Sequence, residues 1–94
     1  MRIRWLRIAL RNLDAEASYI ARDAPGAAHV VVQRVLDAVA ALAEQPALGR
    51  PGRVAGTREL MVPNTRYLVP YRVRGQTVEV LRVFHTPRRL PQQW

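Results

Sequence analysis

The sequence predicts a single α+β domain with the element order β-α-α-β-β-β, in which a helical hairpin packs on one face of a small, antiparallel-rich sheet. Three observations lead to this prediction. A short alternating segment opens the chain, two stretches with helical periodicity follow it, and three runs rich in Val and Tyr occupy the second half. Residues 1–94 suit one domain, because a chain of this length can bury one hydrophobic core and no second core.

The N-terminal half contains one predicted strand and two predicted helices. Residues 2–6 alternate between charged and apolar side chains, which is typical of a half-buried strand. Apolar residues then recur at spacings of four and three over residues 6–20, which indicates an amphipathic helix. A second helix is predicted from about residue 26 to residue 45, with Pro25 suited to its first turn. The two helices are expected to form a hairpin that buries its apolar faces against a sheet.

Three apolar runs in the C-terminal half predict a β-meander over residues 59–62, 67–73 and 77–84. Gly75, between the second and third runs, can adopt the positive φ that a tight hairpin turn requires. The first strand is expected to pair with this meander, because a lone strand would leave its backbone groups unpaired. Pro70 has no N–H to donate, so its strand should have an edge or a bulge at that point.

Side-chain alternation assigns the meander residues to two faces. In the middle run, Tyr67, Val69, Tyr71 and Val73 are expected to face the helices, with Leu68, Pro70 and Arg72 on the opposite side. In the last run, Val78, Val80, Arg82 and Phe84 are expected on one face and Glu79, Leu81, Val83 and His85 on the other. Both faces of this last run are apolar, which predicts a central strand.

Positive charge is concentrated in the second half of the chain. The net charge is +8, and every cation is an arginine. Residues 46–94 hold nine arginines and two acids, a net +7, whereas residues 1–45 carry a net +1. A basic half of this kind favours an anionic partner, either nucleic acid or an acidic protein segment, although a solvated arginine face is the simpler alternative.

Composition excludes several classes of protein. The chain contains no cysteine, so disulfides, thiolate metal sites and a thiol nucleophile are excluded. Its apolar runs fall short of the ~18–20 residues needed to span a bilayer, and the arginine-interrupted N-terminus does not match a signal peptide. A cytoplasmic location with no membrane, metal or cofactor is therefore expected.

Three segments carry a resemblance to a known family. GRPGRVAGTRELMVPNTRYLVPYRV and VEVLRVFHTPRR resemble the loop and three-stranded sheet of the RelE/ParE superfamily, and WLRIALRNLDAEASYIARDAP resembles its first helix. The resemblance covers essentially the whole chain and rests on the ordered set of segments, not on one motif. It implies a growth-inhibiting toxin of a bacterial type II toxin–antitoxin pair, held inactive by a cognate antitoxin in a hetero-oligomer.

Members of this superfamily act in two ways, and the resemblance implies different residues for each. RelE-like toxins cleave messenger RNA on the ribosome, which needs a proton donor, a proton acceptor and cations for the phosphate. His85 matches a catalytic position of that group, and Arg88 and Arg89 after it could serve the phosphate. Arg66 shares the strand face of the position where those nucleases carry an Arg, about 7 Å further along, and is the third candidate. However, the loop before the second strand lacks the Glu of those nucleases, and Leu68 replaces their Arg.

ParE-like inhibition of DNA gyrase, without catalysis, is therefore the favoured interpretation. The messenger-RNA endonuclease is the alternative, and a basic nucleic-acid-binding module is a third possibility. A structural role is expected for His85. The surface for the target is predicted to comprise Arg50, Arg53, Arg58, Arg72, Arg88, Arg89 and Trp94. The antitoxin is expected to bind Leu68, Arg72 and Leu81, offering acidic and apolar groups.

Overall fold

A computed structural model of the chain describes residues 1–86 and 90–94. Two helices and six strands follow one another along these residues. They are β1 (Arg2–Trp5), α1 (Arg7–Ala21), α2 (Pro25–Ala41), β2 (Arg50–Pro51), β3 (Arg58–Met61), β4 (Tyr67–Arg74), β5 (Thr77–Val80) and β6 (Phe84–His85). The predicted α+β class and the order of the main elements are confirmed, and the structure adds the two-residue strands β2 and β6.

The strands form one mixed sheet in the order β1-β5-β4-β3-β2, with β6 pairing with β4 beyond the end of β5. β1 runs parallel to β5, and every other pair in the described sheet is antiparallel. The predicted pairing of the first strand with the meander is confirmed. It places the N-terminal arginines of β1 beside residues of β5 that lie far away in sequence.

The helical hairpin turns at residues 22–24. Pro25 occupies the first turn of α2, as its fixed φ favours, and Ala24 is the N-cap residue. α2 ends at Ala41, four residues before its predicted end. There the Leu42 and Ala43 amides donate to carbonyls three residues earlier, which tightens the chain into a turn and ends the helix.

The hydrophobic core lies between the hairpin and one face of the sheet. The hairpin and the turn that ends it contribute Ala9, Leu13, Val35, Val39 and Leu42. The strands and the residues that adjoin them contribute Leu60, Val62, Tyr67, Val69, Tyr71, Val78, Val80 and Val83. The helix-facing assignment of Tyr67, Val69 and Tyr71 is therefore confirmed. Val73 lies opposite Val78 of the core and so shares this face, but it is 38% exposed and lies at the edge of the core.

The strand facing β4 is interrupted opposite Pro70, as its missing N–H predicts. Between the two register pairs that flank this position, β4 contributes two residues and the facing segment contributes three, residues 81–83. The extra residue makes this a β-bulge. The Leu81 amide donates to the Pro70 carbonyl, and the Val83 amide donates to Asn12 Oδ1 of α1 at 3.1 Å.

The bulge exchanges the two faces for the residues that follow it, because one extra residue shifts the alternation by one. Val83 enters the core, and His85 lies opposite Tyr67 on the helix side. Phe84 lies opposite Leu68 on the other side. The predicted grouping of Val83 and His85 with Glu79, and of Phe84 with Val80, is therefore wrong.

The helices are too short or too polar to cross a membrane. Neither α1 nor α2 is long and apolar enough to do so in the part of the chain that the structure describes.

Candidate functional site

A buried carboxylate fixes the basic loop that precedes β3. Glu59 is 3% exposed, and the Arg53 backbone N–H and Nε both donate to its Oε2, at 2.8 and 3.0 Å. Arg50 Nη2 lies 3.3 Å from its Oε1. Burial by itself raises the pKa of Glu59, but the hydrogen bonds from Arg53 and Arg50 outweigh it and hold that pKa below its usual value. Two arginines predicted to bind the target therefore hold a loop in place.

The segment before this loop is anchored by Tyr71. Its buried hydroxyl donates to the Pro46 carbonyl at 2.7 Å and accepts from the Gly49 N–H at 2.8 Å. Burial raises the pKa of this hydroxyl, so it keeps its proton at neutral pH. Arg58 Nη1 donates to the Gly49 carbonyl at 2.7 Å. Arg58, also predicted to bind the target, is thus engaged by the backbone of its own chain.

These anchors shape an apolar groove between α2 and β3, with a volume of about 400 Å³. Its lining comprises Ala38, Ala41, Leu48, Gly49, Arg50, Glu59, Leu60, Met61 and Pro63. Leu48 is 52% exposed and Met61 is 43% exposed. We call this feature the α2–β3 groove. Sequence reasoning missed it, and the isolated Leu48 in a Gly/Pro-rich loop was the signal that could have indicated it.

A second buried carboxylate lies in the middle of a row of arginines on the sheet face opposite the helices. Glu79 of β5 lies between Arg4 of β1 and Arg72 of β4 in register. Arg72 Nε donates to it at 2.7 Å, and Arg4 and Arg74 approach it at 3.6 and 3.7 Å. The hydrogen bond from Arg72 lowers the pKa of Glu79, since it favours the charged form. Arg2, Arg4, Arg72 and Arg74 together are called the arginine face.

The C-terminal residue docks on its own domain. The Trp94 indole N–H donates to Thr57 Oγ1 at 3.1 Å. The Trp94 ring lies 5.5 Å from the Phe84 ring, and the Arg53 guanidinium lies 5.6 Å from its centroid. Trp94 is half-buried, and its assignment to the target surface stays a prediction. The target-site prediction for Arg88 and Arg89 falls outside the described residues.

The two leucines predicted to anchor the antitoxin are buried. Leu68 is 0% exposed and Leu81 is 5% exposed. Phe84 lies opposite Leu68, and its ring lies against the Trp94 ring, so Trp94 lies beside this part of the sheet. Because neither leucine offers surface, their assignment as accessible anchors is wrong. Arg72, in the same predicted set, keeps part of its side chain exposed at the arginine face.

His85 is packed by its neighbours. Its ring lies edge-on to the Tyr67 ring, with centroids 5.2 Å apart, and the Tyr67 hydroxyl donates to Glu16 Oε1 of α1. Arg66 lies alongside, because the Thr86 amide donates to its carbonyl at 2.7 Å. The structure thus brings His85 and Arg66 to one end of β6. Within residues 1–86 and 90–94, no group of three or more His, Asp or Glu residues is placed to hold a metal ion.

The chain thus has two helices on one face of a mixed sheet and a row of arginines on the other. Residues 3–90 match the family model described as "ParE toxin of type II toxin-antitoxin system, parDE", and the chain belongs to this family. A curated protein named "Putative toxin Y4kP", from Sinorhizobium fredii (strain NBRC 101917 / NGR234), is 50% identical over 91 residues, which span 97% of this chain and 94% of that protein.

A solved structure gives an independent comparison. The structure described as "Chromosomal ParDE TA system from P. aeruginosa" is 30% identical, with a TM-score of 0.82 over 90% of this chain and 95% of that one. The chain is therefore a ParE-like toxin of a type II toxin–antitoxin system. Membership of such a two-component system implies an antitoxin as its partner.

Proposed function

We propose that residues 1–94 act as one toxin domain that binds DNA gyrase in the cytoplasm and stops growth without catalysing a reaction. Membership of the ParE family supports this proposal. The observation that carries it is the packing of His85, the residue at the position where a nuclease of this fold could carry its catalytic histidine. Its ring lies against Tyr67, which in turn binds Glu16.

The carboxylates of the sheet support the same proposal. Cleavage of RNA requires proton donors and acceptors that can reach the substrate. Glu59 and Glu79 are both buried and are held by arginines, which keep them ionised. Arg53 and Arg72, which donate the short hydrogen bonds to these two carboxylates, stabilise the loop and the sheet, whereas an RNA-cleaving site would direct such cations at the scissile phosphate.

The test measures both activities with one protein preparation. Purified chain is preincubated with gyrase in a plasmid supercoiling assay, and the same chain is added to ribosomes that carry messenger RNA. We expect loss of supercoiling, intact messenger, and equal gyrase inhibition by wild type and His85→Ala. If the messenger is cleaved and His85→Ala slows cleavage by about 100-fold while the fold survives, the RelE-like endonuclease is correct. Nucleic-acid binding with neither activity would indicate a binding module.

We further propose that the antitoxin occupies the α2–β3 groove. Leu48 and Met61 expose apolar surface there, and Arg50 at the groove can form an ion pair with an acidic side chain of the antitoxin. An amphipathic segment that is disordered alone could order on this surface, burying apolar side chains and pairing its acids. The groove thus replaces Leu68 and Leu81, which are buried, as the apolar part of the antitoxin site.

A further inference from the structure

We propose that the arginine face is a binding site for the phosphate backbone of duplex DNA. This inference goes beyond the proposed function, which requires contact with a protein alone. Four arginines and one carboxylate share this face, which leaves it with a net charge of +3. Planar guanidinium groups bind phosphate oxygens in pairs, so arginine is well suited to this ligand.

The sheet arranges the arginines in two parallel rows. In one row, Arg4 and Arg72 flank Glu79 of β5, and in the next row Arg2 and Arg74 flank Thr77. From the spacing of strands, the two arginines of a row have Cα atoms about 10 Å apart, and the rows lie about 7 Å apart. The array is therefore an extended basic surface that spans three strands.

The buried Glu79 holds this array in position without neutralising it. One carboxylate is shared by three arginines, and the nearest, Arg72, takes its strong hydrogen bond. The side chains of Arg4 and Arg74 remain 68% and 66% exposed. Cations that are already held in place lose less conformational freedom when a ligand binds, which favours binding.

The chemistry of the lining favours a duplex backbone over other anions. The groove at this face, about 500 Å³ in volume, is lined by Arg2, Ile3, Arg4, Arg74, Thr77 and Glu79. This lining contains no aromatic side chain, whereas single strands and RNA loops are usually held by stacking on aromatic rings. Ile3 packs toward the core, so the lining also offers no apolar anchor for a peptide.

The test compares two double variants that lower the net charge equally. Arg4→Gln/Arg74→Gln removes cations from the face and leaves Arg72 on Glu79, whereas Arg11→Gln/Arg22→Gln removes exposed cations from the α1 side. The full-length chain is titrated into a labelled DNA duplex, followed by fluorescence anisotropy at several salt concentrations. The first variant should weaken binding about 10-fold or more and reduce the slope of log K against log salt by about 1.8, since each phosphate contact contributes about 0.9.

The control variant should leave the slope unchanged. Equal weakening by both variants, or unchanged affinity in the first, would overturn the proposal. So would tighter binding of an RNA duplex or of polyglutamate in the same titration. Should the first variant unfold early, Arg2→Gln removes one cation that forms no ion pair in the described part of the chain. It should reduce the slope by about 0.9, and an unchanged slope would refute the site.

Discussion

Trp94 and Thr57 join the C-terminus of the chain to the loop before β3 through a 3.1 Å hydrogen bond. Arg53 lies over the Trp94 ring and also binds the buried Glu59, so the same arginine contacts both the tail and the sheet. Leu48, in the α2–β3 groove, and Gly49 lie immediately before this loop. Trp94, the loop and the groove are therefore adjacent and share contacts, so changes at any of them should alter stability.

Replacing Trp94 with Ala should destabilise the domain. The change removes a hydrogen bond, a cation–π contact and the packing on Phe84, which together contribute about 1–2 kcal/mol at a half-exposed site. For a domain of this size the melting temperature should fall by roughly 4–8 °C per kcal/mol. Thermal unfolding measures the loss, and Gln92→Ala, an exposed neighbour, is the control. Equal melting temperatures for Trp94→Ala and wild type would mean that the tail does not dock in solution.

The tail can also contribute to target binding, as the sequence predicts for Arg88, Arg89 and Trp94. Replacing Arg88 and Arg89 with Ala should relieve growth inhibition in a bacterial host and leave antitoxin binding unchanged, because arginines anchor many protein interfaces. The measurement is growth after induction, with and without antitoxin. Full toxicity of the double variant would place the target surface elsewhere, with the loop over residues 50–58 as the next candidate.

Stability should fall in acid through Glu59 and Glu79. Arginines lower the pKa of both carboxyls in the folded state, so the folded state binds fewer protons than the unfolded state. Their contribution is present above the unfolded pKa of about 4.3 and is lost as pH falls through the lower folded values. The melting temperature should therefore drop steeply below about pH 4.3.

Glu59→Gln should flatten part of that pH dependence and lower stability at neutral pH. Removing the carboxylate leaves Arg53 without its charged partner, which should lower the free energy of unfolding by on the order of 1–3 kcal/mol. This is less than the roughly 3–5 kcal/mol typical of fully buried ion pairs, because Arg50 is 62% exposed. Thermal unfolding at several pH values is the measurement. If the melting temperatures of wild type and variant fall equally as the pH is lowered, Glu59 does not cause the loss of stability in acid.

Gly49→Ala should be destabilising because the position has no room for a side chain. A Cβ there would lie 2.7 Å from Tyr71 Cε1 and 2.9 Å from the Glu59 carbonyl oxygen. Overpacking of this kind costs about 1–3 kcal/mol. Gly26→Ala is a matched control, since nothing lies within 4 Å of its Cβ and alanine favours the helix. Denaturant unfolding should separate the two variants, and equal stabilities would contradict the packing described for Tyr71.

The antitoxin site can be tested with two leucines of similar exposure. Leu48 of the α2–β3 groove is 52% exposed and Leu10 of α1 is 49% exposed. Leu48→Glu should weaken antitoxin binding about 10-fold or more, equivalent to 1.4 kcal/mol, because it places a charge against an apolar, acidic partner. Leu10→Glu should not weaken antitoxin binding, and it should leave α1 intact because glutamate has a high helix propensity. Titration calorimetry measures both, and equal affinities would exclude the groove.

Local patterns were sufficient to predict the fold. Strand geometry sets a side-chain period of two residues and helix geometry a period of about 3.6, so residues 2–6, 6–20 and the meander could be assigned from sequence. Pro70 predicted the irregularity in its strand pair because a missing N–H is a property of one residue. The positive charge of the second half could also be predicted, because it follows from counting the arginines and acidic residues in the sequence.

The positions of that charge and of the apolar residues depend on contacts between segments distant in sequence. Because of the bulge at residues 81–83, His85 lies on the helix side of the sheet. Leu68 is buried opposite Phe84, and the Phe84 ring lies against Trp94. Arg4 forms an ion pair with Glu79 because β1 pairs in parallel with β5. The two residues lie far apart in the sequence. The helices, the strands and the family resemblance follow from the order of residues alone, because they depend on short stretches of sequence. Register, burial and ion-pair partners depend on residues distant in sequence, so only the folded chain determined them.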